Sequence, residues 1–285
     1  MFDSSAIDCS GRAPEEIEEA ALASVAEHRL AYLRNFPIDV DQYIGLLSRL
    51  GELCPNYAAG STKDLYTLHE AINIVRCRAP QAAGPERVQE KAGSLPMHSG
   101  RSFARRRPLF LAMLMTDPGW QDLEPGSNGE SLIVRWGDVL AEVRRRHPEH
   151  WAEDLRLLTS RAMSFPASHL DEEPSLVPFL YVPGTPRYTP VADDVAVRLP
   201  QDIGRLRMAA ESLDDGERWF EAVTRFQQVA NDPAVTHRYV MNAGDVVVID
   251  NDRYGHGRQH VVAARTGADG GQTVNPRAIW SVNIQ

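Results

Sequence analysis

Two of the nine histidines stand in segments suited to hold a metal. His98 lies in Ser94-Leu95-Pro96-Met97-His98-Ser99-Gly100-Arg101-Ser102-Phe103. His256 closes a longer run: a β-branched strand from Val246 to Ile249 enters the polar turn Asp250-Asn251-Asp252-Arg253 and reaches Tyr254-Gly255-His256-Gly257-Arg258. A strand end fixes a side chain rigidly, which a metal site requires, and neutral imidazole is a common metal ligand. His28, His69, His147, His150, His169, His237 and His260 are read as structural or exposed, because an imidazole readily finds a hydrogen bond in a core. Two residues after His98 stands Gly100, which has no side chain to offer a metal, and no Asp or Glu follows until Asp117.

Elements must bring these segments together across 158 residues. Pro14, Glu15 and Glu16 open a helix predicted over Ala13 to Arg34, with Ile17, Ala21, Val25 and Tyr32 near helical spacing. A second helix is predicted over Val40 to Leu50, stopped by Gly51. Strands are predicted at Ile72 to Cys77, Pro108 to Met115 and Ser131 to Val134, followed by a helix over Gly137 to His147. Arg144 to Arg146 read as its solvated end, where cations suit the helix dipole. Ser164 to Pro200 is proline-rich, with short apolar runs that fit strands and loops. Ile203 to Val229 reads as helix, then His237 to Met241, Asp245 to Ile249 and Ala278 to Ile284 as strands. Strands at both ends with helices between them suggest a β-sandwich decorated by helices, in a single domain over residues 1–285.

Composition narrows the function. Hydrophobic residues make up 43% and charged residues 24%, which supports an ordinary folded core. A net charge of −9 argues against a nucleic-acid polymer or an anionic membrane as partner. No window approaches about 20 apolar residues, so no spanning helix is expected. The first fourteen residues carry no apolar signal core. Cys9, Cys54 and Cys77 match no zinc spacing and no simple disulfide framework, which reads as reduced thiols in a cytoplasmic protein. Nothing here fixes the oligomeric state.

The two histidine segments resemble those of the Fe(II)/2-oxoglutarate oxygenases of the taurine dioxygenase and clavaminate synthase type. Leu50-Gly51-Glu52-Leu53 is similar to the end of that family's opening, and Gly244-Asp245 through His256-Gly257-Arg258 is the most specific match. The resemblance implies a mostly β fold with added helices around a double-stranded β-helix (jelly-roll, cupin-like) core. It implies Fe(II) on His98 and His256, O2 as co-substrate, and 2-oxoglutarate with its distal carboxylate on Arg277. A planar guanidinium suits that role, because it grips a carboxylate through two parallel hydrogen bonds. Ser131 falls near a family threonine that also contacts 2-oxoglutarate. Between His256 and Arg277 the chain is longer than usual for the family.

Gly100 departs from the family pattern, where a carboxylate completes a facial triad. In the resembling halogenases a glycine or alanine at this place leaves room for chloride. Chloride restores the lost ligand and the lost negative charge, and chlorine is delivered to an unactivated sp3 carbon. Two alternatives stay open: a remote acid could restore an ordinary hydroxylase, or the chain could be a binding module without metal. Arg101, Arg105, Arg106, Arg107, Arg253 and Arg258 flank the two segments, and Arg101, Phe103, Tyr254 and Arg258 are candidate substrate contacts. Local cations suit a phosphate, so a mononucleotide such as a deoxyadenosine monophosphate, as in nucleoside antibiotic biosynthesis, is the favoured small-molecule substrate. A free amino acid is second and a carrier-tethered acyl group third. Arg105 to Arg107 read equally as a solvated turn, and Trp120, Trp136, Phe103 and Tyr254 as core packing.

Overall fold

The computed structural model describes residues 6–55, 68–77, 92–102, 107–160, 162–165, 175–182, 195–211 and 213–285. A six-stranded sheet runs in the order Ile7–Asp8, Leu30–Arg34, Val246–Asp250, Phe110–Asp117, Ala278–Ile284, Asn73–Arg76. A four-stranded sheet runs in the order His237–Tyr239, Ser131–Arg135, Tyr254–Arg258, Leu95–His98. Neighbours are antiparallel except for the short parallel edge at Ile7–Asp8. Taken along the chain from Asn73–Arg76, eight of these strands pair in nested fashion. The first lies beside the eighth and the third beside the sixth in the large sheet; the second lies beside the seventh and the fourth beside the fifth in the small one. Residues far apart in sequence, such as His98 and His256, thereby become direct cross-strand neighbours.

The period-2 geometry of strands sorts the side chains into three apolar layers. Between the sheets lie Leu30, Tyr32, Leu111, Met115, Val247, Ile249 and Ile279 from the large sheet, with Ile133 and Tyr239 from the small one. The alternate residues Ala31, Leu33, Ala112, Leu114, Val246 and Val248 face outward against helices Pro14–His28 and Val40–Ser48. On the far side, Met97, Val134 and Trp136 pack with helices Trp136–Arg146, Trp151–Ser160, Gly204–Ala210 and Gly216–Ala230. The large sheet is covered on both faces, so its strands read as continuous apolar runs.

That double burial accounts for one departure from the expected elements. The first helix ends at His28, and Arg29 turns the chain with φ 58°. Leu30–Arg34 is then a central strand of the large sheet instead of helix. The helix expected over Ile203 to Val229 is two, Gly204–Ala210 and Gly216–Ala230. A Cβ at Gly216 would fall 1.9 Å from the Ala210 carbonyl oxygen, so only glycine allows this tight joint. Helix Trp151–Ser160 was not expected. Arg144 to Arg146 do end their helix, with Arg145 and Arg146 both paired to Glu142. Among the described residues no helix is long and apolar enough to cross a membrane.

Candidate metal centre and anion pocket

The inner face of the small sheet is polar, where the sheet opposite is apolar. His98 pairs with His256, His256 with Ile133, and Arg258 with Ser131. Ile133 belongs to the layer between the sheets, so its cross-strand partner His256 faces inward too. Each polar group placed there must be satisfied or carry a cost of a few kcal/mol. These residues therefore mark a site, because apolar side chains would serve the core better.

The two imidazoles lie close, with ring centroids 4.1 Å apart. His98 is 5% exposed, and its Nδ1 is 2.9 Å from the Pro96 carbonyl oxygen. That carbonyl places the proton on Nδ1 and leaves the Nε2 lone pair available. Burial pushes the His98 pKa down to about 4, and burial with the neighbouring His98 lowers that of His256. Both rings are neutral at pH 7, the form that binds metal. His256 Nδ1 is buried with no hydrogen-bond partner. Two adjacent neutral imidazoles, one with an orphaned nitrogen, fit a divalent cation. Among the described residues no third His, Cys, Asp or Glu joins them.

Gly100 is held in place by Asn251. The Gly100 N–H donates to Asn251 Oδ1 at 2.7 Å, and Asn251 Nδ2 donates to the Gly100 carbonyl at 2.9 Å and to the Pro108 carbonyl at 3.1 Å. Asn251 is fully buried. A Cβ at Gly100 would lie 3.0 Å from Asn251 Oδ1, so a side chain there asks the hydrogen-bonded Asn251 to give by a few tenths of an ångström. Gly257 is tighter: a Cβ there would meet the Leu95 carbonyl at 2.8 Å and Met97 Sδ at 2.9 Å, so glycine is what lets the two ligand strands approach.

Arg277 and Ser131, placed far apart in sequence, meet in a cavity of about 330 Å³ also lined by Met115, Gln121, Glu130 and Met241. Neither histidine lines it, but Ser131 sits one inward position along the strand from Ile133, about 7 Å from the level of His256. Arg277 is 4% exposed and donates to the Gly129 carbonyl at 3.0 Å. Burial, then the nearby Arg258 charge, pushes its pKa down to about 10. Arg258 is also buried, donates to the Gly93 carbonyl, and is pushed down by burial. Among the described residues no carboxylate is ion-paired with Arg277; Glu130 acts on it only at longer range. A buried Arg277 guanidinium with a second cation nearby and no ion-paired carboxylate among the described residues suits an anionic ligand.

The remaining candidates are placed differently. Arg258 stands beside Arg277, both touching Gly129. Tyr254 does not turn to the histidines; its hydroxyl donates to the His28 carbonyl at 2.9 Å. Arg101 follows Gly100 half-buried with a left-handed φ of 50°. Phe103, Arg105 and Arg106 lie outside the described residues. Arg107 is no solvated turn residue: it is buried, donates to the Asn251 and Val197 carbonyls, and pairs with Asp252 at 3.2 Å. Trp136 is fully buried in the core. Asn251 and Gln201 are additions. Gln201 Nε2 lies 2.8 Å from His98 Nε2. Asn251 stood in the second histidine segment and could have been weighed there, whereas Gln201, 103 residues from His98, carried no local signal.

Fold and site together describe a β-sandwich in which a cross-strand pair of neutral histidines, a candidate metal centre, shares a sheet face with Ser131 of the cavity that Arg277 lines. The chain belongs to the family described as "Taurine catabolism dioxygenase TauD, TfdA family", whose model matches residues 4–269. No curated protein sequence matches the chain. Among solved structures it is similar to asparagine oxygenase in complex with Fe(II), (2S,3S)-3-hydroxyasparagine and succinate, at 15% identity and a TM-score of 0.59 over 95% of this chain and 79% of that one. It is similar to the non-heme iron oxygenase OrfP in complex with Fe and α-ketoglutaric acid, at 17% identity and a TM-score of 0.54 over 95% and 78%. It is also similar to PvcB of Pseudomonas aeruginosa, an Fe, α-ketoglutarate dependent oxygenase from an isonitrile synthetic pathway, at 14% identity and a TM-score of 0.55 over 98% and 82%. These likenesses show the fold.

Proposed function

We propose that this chain is an Fe(II)- and 2-oxoglutarate-dependent oxidase that functionalises an unactivated sp3 carbon of a small polar molecule. The carrying observation is the cross-strand pair of neutral imidazoles at His98 and His256, on the same sheet face as Ser131. His98 and His256 would hold the iron, and Arg277, with Arg258 beside it, would hold the distal carboxylate of 2-oxoglutarate. The nested strand pairing supports a double-stranded β-helix as the core of this site. Iron with bound 2-oxoglutarate and O2 would supply the oxidant that removes a hydrogen atom from carbon. The protein's own part is to keep both imidazoles deprotonated, to orient the oxo acid by its far end, and to exclude water around it.

Gly100 decides which group is transferred. A halide in the place that Gly100 leaves is favoured by the lack of a third ligating His, Cys, Asp or Glu among the described residues. Chlorination is therefore the first reading. Hydroxylation is the second, and it is favoured by the similar structures, whose bound products are hydroxyasparagine and hydroxyarginine derivatives. The same structures favour an amino-acid-like substrate over a mononucleotide. The phosphate argument loses support because Arg107 is committed to the core and Arg258 is buried and donates to the Gly93 carbonyl.

The test is reconstitution with Fe(II), 2-oxoglutarate and O2 over a panel of amino acids and nucleoside monophosphates, with and without chloride, read by mass spectrometry. Succinate should form only with His98 and His256 intact, and chlorinated product only with chloride. Hydroxylated product alone, in chloride, would establish the second reading; succinate formation that survives His98→Ala would overturn both.

A further inference from the structure

Gln201 caps the metal-facing nitrogen of His98. The Pro96 carbonyl takes the Nδ1 proton, so His98 Nε2 is an acceptor and the Gln201 carboxamide donates to it at 2.8 Å. Gln201 is brought there by ties to the residue after His98. Ser99 N donates to the Leu199 carbonyl at 2.9 Å, Leu199 N donates to Ser99 Oγ at 3.1 Å, and Ser99 Oγ donates to the Val197 carbonyl at 2.9 Å. The segment carrying Gln201 is thus bound to the His98 segment as one piece. Gln201 itself is half-buried and outside any strand, so its side chain can turn while the backbone stays.

A metal on His98 takes the lone pair that Gln201 caps. The carboxamide must release that nitrogen, yet the segment that carries it stays tied to Ser99 through Val197 and through Leu199, two residues before Gln201. Its N–H then faces ligands gathered on the metal, at a centre where Gly100 supplies none. We infer that Gln201 donates its amide N–H to the exogenous anion that completes the metal's coordination, and so acts as a positioning residue for that anion. This rests on the metal site proposed above. A neutral amide suits this role, since an acid would repel the anion and a neutral donor adds direction without further charge. The anion is a halide or the carboxylate of the oxo acid, and the experiment separates them.

Co(II) is titrated into metal-free protein in halide-free buffer and followed by visible absorption; chloride or 2-oxoglutarate is then added in separate arms. Gln201→Ala removes cap and donor together. It should bind Co(II) at least as tightly as wild type, while the affinity of one anion falls on the order of tenfold, as expected for a lost hydrogen bond to a charged group. The arm that weakens identifies the anion. Gln201→Glu, nearly isosteric, should bind Co(II) more tightly and lose the response to that anion. A parallel loss of Co(II) and anion affinity in Gln201→Ala, unchanged affinity for both anions, or a wild-type Co(II) spectrum that no anion alters overturns the inference. Wild-type protein that fails to bind Co(II), or Co(II) binding that survives His98→Ala, overturns the metal site itself.

Discussion

Asn251→Ala tests how the fold holds the position two residues after His98. The Asn251 carboxamide is fully buried and makes three hydrogen bonds, to both backbone groups of Gly100 and to the Pro108 carbonyl. Alanine removes all three and strands one N–H and two carbonyls. At about 1 kcal/mol net per hydrogen bond, and more where a buried group is orphaned, the expected loss is about 3 kcal/mol. A substitution in a solvated turn would change stability by about 0.5 kcal/mol or less. Urea unfolding of the metal-free chain measures this, with an unchanged m-value showing that the same surface is exposed. Asn251→Asp adds a check of sign. Its carboxylate keeps an acceptor for the Gly100 N–H but turns a second oxygen toward two carbonyls, where only a protonated carboxyl can donate. The folded pKa is then raised above the unfolded value of about 3.9. The penalty is absent below that value and complete above the folded pKa, so the variant should approach wild type as pH falls and diverge as pH rises. An Asn251→Ala loss under about 1 kcal/mol, or an Asp variant whose difference from wild type ignores pH, would refute the latch between Asn251 and Gly100.

Three further outcomes are expected. Burial holds the His98 pKa at about 4 against 6.5 in the unfolded chain, so between these values only the unfolded chain takes up this proton. Metal-free protein should therefore lose up to about 3 kcal/mol as pH falls through that window, and His98→Asn should flatten the slope in pH-dependent unfolding. Gly255→Ala would drive a Cβ to 2.2 Å from the Trp136 ring, next to His256; overpacking should cost about 1–3 kcal/mol and weaken Co(II) binding, and a Tm equal to wild type would count against the close approach. Gly100→Asp needs no left-handed backbone and asks Asn251 to shift by a few tenths of an ångström, so it should fold with some loss of stability, bind Co(II) more tightly and lose any chloride response in the visible spectrum; retained chloride binding would detach the halide from this position.

Chemistry was legible where it was local. His98 and His256 stood in segments suited to hold a metal, the family resemblance marked Gly100 as the place of an absent carboxylate, and the structure places the two histidines opposite each other. Strands were legible at Phe110–Asp117 and Val246–Asp250 as short apolar runs bounded by turn residues. The reading failed at Leu30–Arg34, whose Leu30, Ala31, Tyr32 and Leu33 are all buried, because Tyr32 continues the spacing of the preceding helix and a strand covered on both faces has no alternation to break it. The reading of clustered arginines as a phosphate site finds no support at Arg107 for a related reason. Charge in a sequence does not say which guanidinium has a buried carbonyl or acid waiting for it, and Arg107 has both.

The sequence by itself determined which two histidines are candidate ligands, that glycine stands two residues after the first, and the apolar runs that sort into layers. Only the tertiary structure decided which residues share the inner face of the small sheet. Nested strand pairing sets His256 against His98 and Ser131 against Arg258, and loop packing adds Asn251 at Gly100 and Gln201 at His98. Those neighbours are fixed by register and by hydrogen bonds between segments a hundred or more residues apart, and local sequence carries no record of register.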